Sequence, residues 1–215
     1  GSVLCRQLHD FRPAELIMLD RDESALHAVQ LSIHGRALLD GSDTELGDIR
    51  DARYVDALFA RRKPEVVFHA AAYKHVPMME NANAWQAVRN NVFGTCCVAQ
   101  AAIAHRAERF VLISTDKAVN PANVMGATKR LAEMLCQALG HAVRENAGPT
   151  RFVMVRFGNV LGSSGSVIPK FREQIARGGP VTVTHPDIVR YFMLIPEAAQ
   201  LVLQAGLMGG TGNEE

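Results

Sequence analysis

Ser114-Thr115-Asp116-Lys117 places hydroxyls, a carboxylate and an amine side by side, and Met125 and Lys129 follow shortly after. Residues four apart on a helix share a face, so Met125 and Lys129 have the spacing of the catalytic Tyr-x-x-x-Lys pair. The tyrosine position, however, holds methionine. A thioether cannot exchange a proton, so the group that deprotonates a hydroxyl must lie elsewhere. Thr115, Asp116 and Lys117 are the candidates: an acid beside an amine in a half-buried cleft moves protons in both directions when their pKa values are tuned. Asp-Lys neighbours are common on surfaces, so the weight of this cluster rests on its place, directly after the apolar run Phe110-Val111-Leu112-Ile113.

Other residues gather around the same kind of position. Asp20 ends the apolar run Leu16-Ile17-Met18-Leu19, where an acid accepts hydrogen bonds from an adenosine ribose or serves as a turn residue. Arg21 beside it suits a 2′-phosphate, so NAD and NADP both stay open. Asp48-Ile49 suits an adenine contact, or a turn or helix cap. His69-Ala70-Ala71-Ala72 ends another apolar run, and its small side chains permit either a close backbone approach to a ligand or tight helix packing. Tyr73-Lys74-His75-Val76-Pro77 then adds a cation and an imidazole on a loop. Of Asn90 and Asn91, one is expected under the site, holding a water or a carbonyl, and the other in solvent. Gly158 to Val167 is a Gly/Ser loop ahead of a helix, of the kind that offers backbone N–H groups to phosphate; a plain loop is the alternative. Lys170, Arg172 and, further on, Arg190 would supply cations for a diphosphate.

The elements that must position these residues alternate. Short apolar strands are expected at 16–20, 66–69, 110–113 and 152–156. Helices are expected at 22–33, 51–62, 84–105, 123–145 and 166–177, with Pro64 stopping the second. Strands separated by helices of this length give an α/β fold: a doubly wound, Rossmann-like parallel sheet covered on both faces. The chain opens on a helix, Val3 to Leu8, with no strand and only Gly1 of a glycine-rich turn before it. It runs out at Met208 to Gly212 without a closing strand, so a truncated fold is expected.

Composition narrows the function classes. The chain has 215 residues, 48% hydrophobic and 21% charged, with a formal net charge of +1. That charge makes no electrostatic case for nucleic acid or an acidic membrane surface. Cys5, Cys96, Cys97 and Cys136 lack metal-ligand spacing and read as buried thiols of a reducing compartment. No apolar run approaches the roughly 20 residues that span a bilayer.

Taken together, these segments resemble the extended short-chain dehydrogenases/reductases, and within them the nucleotide-sugar 4,6-dehydratases of polysaccharide biosynthesis. The match is closest to the membrane-anchored branch acting on UDP-N-acetylglucosamine. It is carried by HAAAYKHVPMM at 69–79, NNVFGT at 90–95, FVLISTDKAVNPANVMGATK at 110–129, RFGNVLGSSGSVIPK at 156–170 and HPDIVRYFMLIP at 185–196. The resemblance implies that tightly bound, recycled NAD or NADP takes a hydride from sugar C4. The C5 proton and the C6 hydroxyl then leave, and the hydride returns to C6. Asp116 would be the acid at the C6 hydroxyl and Lys117 the C5 base. Thr115 would hold the C4 hydroxyl, and Lys129 would orient the ribose. Met125 would mark the branch.

Gly1, Asp20, Arg21, Asp48, Ile49, Ala70, Ala71, Ala72, Lys74, Asn90 and Lys129 would serve the cofactor. Lys74, Asn159, Ser166, Lys170 and Arg190 would serve the UDP-sugar. The expected division is a dinucleotide-binding domain over 1–157, lacking its first strand and most of its glycine loop, and a partial nucleotide-sugar region over 158–215. A cytoplasmic homo-oligomer is implied, with no metal and no nucleic acid, touching the membrane only through a region outside this chain. The alternatives are a UDP-sugar C4-epimerase, which needs no elimination, and a catalytically silent nucleotide-sugar-binding module.

Overall fold

A computed structural model describes residues 1–36, 41–162, 167–183 and 185–208. Helix α1 (Ser2–Asp10) leads to strand β1 (Met18–Asp20), and helix α2 (Glu23–His34) to β2 (Thr44–Leu46). Helix α3 (Ala52–Arg62) follows, then β3 (Val66–His69), α4 (Ala84–Val88), α5 (Thr95–Ala104) and β4 (Arg109–Thr115). Helix α6 (Val124–Glu145), β5 (Arg151–Phe157), β6 (Asn159–Leu161), α7 (Val167–Ala176), β7 (Phe192–Leu194) and α8 (Ile195–Met208) complete the order. β1 pairs with β2, β3 with β4, β4 with β5, and β6 with β7, every pair parallel. This is the α/β, parallel, Rossmann-like architecture that the alternation predicts.

Local chemistry starts the helices where the sequence suggests. The Asp22 carboxylate accepts from Ala25 N at the head of α2, and Asp51 from Tyr54 N at the head of α3, both at 3.0 Å. Asn123 caps α6 by accepting from Gly126 N at 2.8 Å. Such caps contribute about 1 kcal/mol each by satisfying N–H groups that the first turn leaves unpaired. Gly35, in the left-handed region at φ 64°, closes α2.

The central strands are buried on both faces. Along β4, Phe110 and Leu112 enter a core with Val55, Phe59, Val98, Ala99, Ala102, Ala132 and Cys136, from α3, α5 and α6. Val111 and Ile113 point the other way, toward Leu4 of α1 and Ala199 and Val202 of α8. Period-two alternation with both sets apolar is the mark of a doubly covered sheet. Phe110, Val111 and Leu112 are fully buried, each gaining roughly 1.5–3 kcal/mol from lost water contact.

Three features depart from expectation. The helix expected at 84–105 is interrupted: a π-helical segment, Arg89–Gly94, lies between α4 and α5. Widening the turn there buries Asn90 and Asn91 together, so the reading that puts one of them in solvent is incorrect. Strands β2, β6 and β7, of three residues each, lie outside the expected strands; unlike β1, they are not part of an apolar run read as a strand. Helix α8 was not anticipated either, although Pro196 stands in its first turn and its buried side packs on β4 and β5.

Candidate functional site

The reactive cluster lies at the C-terminal end of β4, the edge at which open α/β sheets bind ligands. Thr115 is the last residue of β4, and Asp116–Ala118 form a single 3-10 turn. The Thr115 hydroxyl donates to Asp116 Oδ1 at 2.8 Å, and Lys117 Nζ donates to the same oxygen at 2.9 Å. Lys117 Nζ also reaches Asn159 Oδ1 at 3.5 Å, so β6 contributes to the cluster. Partial desolvation pulls the Asp116 carboxyl upward, but hydrogen bonds from Lys117 and Thr115 outweigh it and hold Asp116 below the usual carboxylate range. In the free protein, acid and amine therefore form an ion pair half open to solvent.

Helix α6 approaches this turn closely. A Cβ on Gly126 would lie 2.2 Å from the Lys117 carbonyl oxygen, a contact that no other residue type tolerates without moving the turn. Met125 is buried in an apolar cluster with Met79, Ala87, Tyr73, Val76 and Val124. It anchors the loop after β3 and offers nothing to proton chemistry. Lys129, one turn on, is 7% exposed, and its Nζ donates to the Ile113 carbonyl of β4. Burial lowers its pKa to about 8, against the opposing pull of Glu133. His69, on the neighbouring strand, is held near 3 by burial and by the charge of Lys129, and so is neutral.

A buried polar chain links these parts. His69 Nε2 lies 2.8 Å from Thr95 Oγ1, whose hydroxyl donates to the Asn91 carbonyl at 2.8 Å. With its own proton committed to Asn91, the threonine oxygen accepts, so His69 carries its proton on Nε2. The Asn91 side chain accepts from Tyr73 N at 2.7 Å and donates to Tyr73 O and Thr128 Oγ1, each at 3.0 Å. Asn91 thus staples the loop after β3 to α6.

Across the ends of β1 and β3, a cavity of about 200 Å3 is lined by Leu19, Asp20, Arg21, Gly47, Asp48, Ile49, Ala70, Ala71, Ala72, Tyr73 and Asn90. The sequence groups these residues on separate strand ends, and the fold brings them round one space. Two carboxylates can accept from hydroxyl or amino groups, and a wall of alanines lets a flat ring approach the backbone. This set of acceptors and small side chains fits the adenosine end of a dinucleotide. Asp48 is held in bidentate contact by Arg50, which keeps it ionised. It does not cap α3, because Asp51 does. Arg21 lies over the Tyr73 ring, 4.9 Å from its centroid, at the rim.

The remaining candidates are scattered. Gly1 is the N-cap of α1 and is exposed, as is Lys74 on the loop after β3. Lys170 and Arg172 stand exposed on α7, and Arg190 lies exposed beside Tyr191. The Tyr191 carbonyl accepts from Asn159 N and Nδ2, each at 3.3 Å. Ser166 and residues 163–165 of the Gly/Ser loop lie outside the described residues. Asn91 holds the Tyr73 carbonyl, as expected for one of the asparagine pair, whereas Glu133 is a residue that the sequence reading does not single out. A carboxylate four residues after Lys129, between the core residues Ala132 and Cys136, was the available signal for Glu133.

A family model described as polysaccharide biosynthesis protein matches residues 1–214. The chain belongs to that family. It is 53% identical over 212 residues to the probable polysaccharide biosynthesis protein EpsC of Bacillus subtilis, covering 97% of this chain and 34% of that protein. The chain therefore spans about a third of this relative. Among solved structures, Pen from Bacillus thuringiensis superposes with a TM-score of 0.86 at 33% identity, covering 97% of this chain and 63% of Pen. DesIV of Streptomyces venezuelae, a dTDP-glucose 4,6-dehydratase with NAD and TYD bound, gives 0.79 at 24% identity, covering 98% and 69%. That likeness establishes the shared fold.

Proposed function

We propose that the protein is an NAD(P)-dependent 4,6-dehydratase of a UDP-N-acetylhexosamine, UDP-N-acetylglucosamine being the favoured substrate, in surface polysaccharide synthesis. The observation that carries this reading is the Thr115-Asp116-Lys117 triad at the end of β4, combined with a buried methionine where a catalytic tyrosine would stand. Residues 1–157 hold the cofactor, with Asp20, Asp48 and Ala70–Ala72 around the adenosine, and residues 158–215 supply the nucleotide-sugar side. When bound, the nicotinamide supplies a hydride acceptor at C4 and a hydride donor at C6.

The chain's own residues supply the proton chemistry. Thr115 holds the C4 oxygen, and Lys129 orients the cofactor ribose while adding positive charge. A sugar over the Asp116–Lys117 pair excludes water and favours the neutral form of both groups. One proton crossing the 2.9 Å contact converts the pair into a free amine and a carboxylic acid. The amine takes the C5 proton and the acid gives its proton to the departing C6 hydroxyl, so water leaves; the Lys117 ammonium then returns its proton to C5 as C6 is reduced, and the proton shed by the C4 hydroxyl on oxidation restores the ion pair.

Asp116→Asn removes the acid and keeps the shape. Its expected result is a loss of dehydration of at least about 100-fold, the low end of what a positioned acid contributes, with UDP-sugar affinity little changed. NMR detection of the 4-keto-6-deoxy product reads the outcome, and full turnover in this variant rejects the assignment.

A further inference from the structure

Glu133 is almost fully buried, at 1% exposure, and it gathers donors from three elements. Ser114 Oγ of β4 donates to Oε1 at 2.6 Å. Arg156 of β5 grips it bidentately, Nε to Oε1 at 2.7 Å and Nη2 to Oε2 at 2.5 Å. Arg130 Nη1 of α6 donates to Oε2 at 3.1 Å. An apolar side chain would fill such a core position without requiring any donor, and buried ion pairs seldom add stability over apolar packing. What the carboxylate adds is direction and charge. It ties the last buried residue before Thr115 to the helix that carries Lys129 one turn earlier. We infer that Glu133 is a positioning residue, clamping β4, β5 and α6 so that Thr115–Lys117 and Lys129 address one substrate, and keeping Lys129 an ammonium.

Among the described residues, Lys129 meets Glu133 and Cys136 on α6, His69 on β3 and the Ile113 carbonyl on β4. His69 is neutral, and the Cys136 thiol is pushed up to about 12 by burial, so Glu133 is the one ionised acid among these groups. Burial draws Lys129 down and Glu133 draws it up. Removing that charge therefore moves Lys129 below about 8.

The inference rests on the proposed roles of Lys129 and Thr115–Lys117, so its test includes a readout that needs no turnover. The 15N signal of Lys129 Nζ, assigned by its absence in Lys129→Met, is followed across pH in the protein and in Glu133→Gln. A lower midpoint in Glu133→Gln, largely restored in Glu133→Asp, is expected. So is a fall in kcat of about tenfold near neutral pH, deepening as pH rises, with KM little changed. An unmoved midpoint together with unchanged kcat in folded Glu133→Gln overturns the inference. If that variant does not fold, Ser114→Ala decides: a kcat about tenfold lower in a folded protein supports the clamp, and full kcat overturns it. A shifted midpoint in a protein that dehydrates no UDP-sugar leaves Glu133 as the guardian of Lys129 and rejects the dehydratase reading instead.

Discussion

At the scale of single residues, Met125 is the clearest case of a side chain whose type and surroundings agree. Its thioether fills an apolar cluster with Met79 and Ala87, at 4% exposure. Met125→Tyr therefore does not rebuild a tyrosine–lysine pair. A larger ring with a hydroxyl must enter packed apolar surroundings, at a cost of about 1–3 kcal/mol. The expected outcome is a lower urea midpoint without faster dehydration, and a folded variant with raised turnover would contradict this placement. Asp116 and Lys117 show the opposite situation. Both types suggest proton transfer, but only their 2.9 Å contact and the Thr115 hydroxyl show how the pair rests in the free protein.

At the scale of elements, the interrupted helix organises the loop after β3. The π-helical segment brings Asn91 inward, where its amide satisfies both backbone groups of Tyr73 and the Thr128 hydroxyl. Asn91→Ala leaves buried polar groups without partners, each worth about 1–3 kcal/mol. A net loss of about 2 kcal/mol in urea unfolding is expected, with weaker cofactor binding because Tyr73 lines the cavity. An unchanged urea midpoint would reject the staple. The Gly126 contact makes a similar point about proximity, since α6 and the reactive turn meet only because that position lacks a Cβ.

At the scale of the whole molecule, the polar chain beneath the site sets the response to acid. His69 is neutral in the fold because burial lowers it to about 3, whereas the unfolded ring binds a proton near 6.5. Between those values the unfolded state holds more protons, so stability falls as pH drops from about 6.5 toward 3. Glu133 adds to the loss in more acidic solution. Its own desolvation pulls it up, but Arg156, Ser114 and Arg130 hold it below the usual carboxylate value. His69→Gln is expected to flatten the dependence of the urea midpoint on pH between about 4 and 6.5, while a slope identical to the parent's would reject a neutral buried His69.

The alternation of short apolar runs with amphipathic helices was readable because burial on both faces of a parallel sheet imposes it locally, residue by residue. The caps Asp22, Asp51 and Asn123 belong to the same local physics. The sequence by itself also placed Thr115-Asp116-Lys117 at the end of a strand. What it left undecided depends on contacts between residues distant in the chain. Asp20, Asp48, Ala70–Ala72 and Asn90 become one cavity wall only when the fold brings the ends of β1 and β3 to one space. Both asparagines are buried only because a helical turn widens. Glu133 is a clamp only because β4 and β5 bring Ser114 and Arg156 to it. Local propensity acts over a few residues, whereas the direction of a buried hydrogen bond is set by which elements the core packs together, and that was decided by the tertiary structure alone.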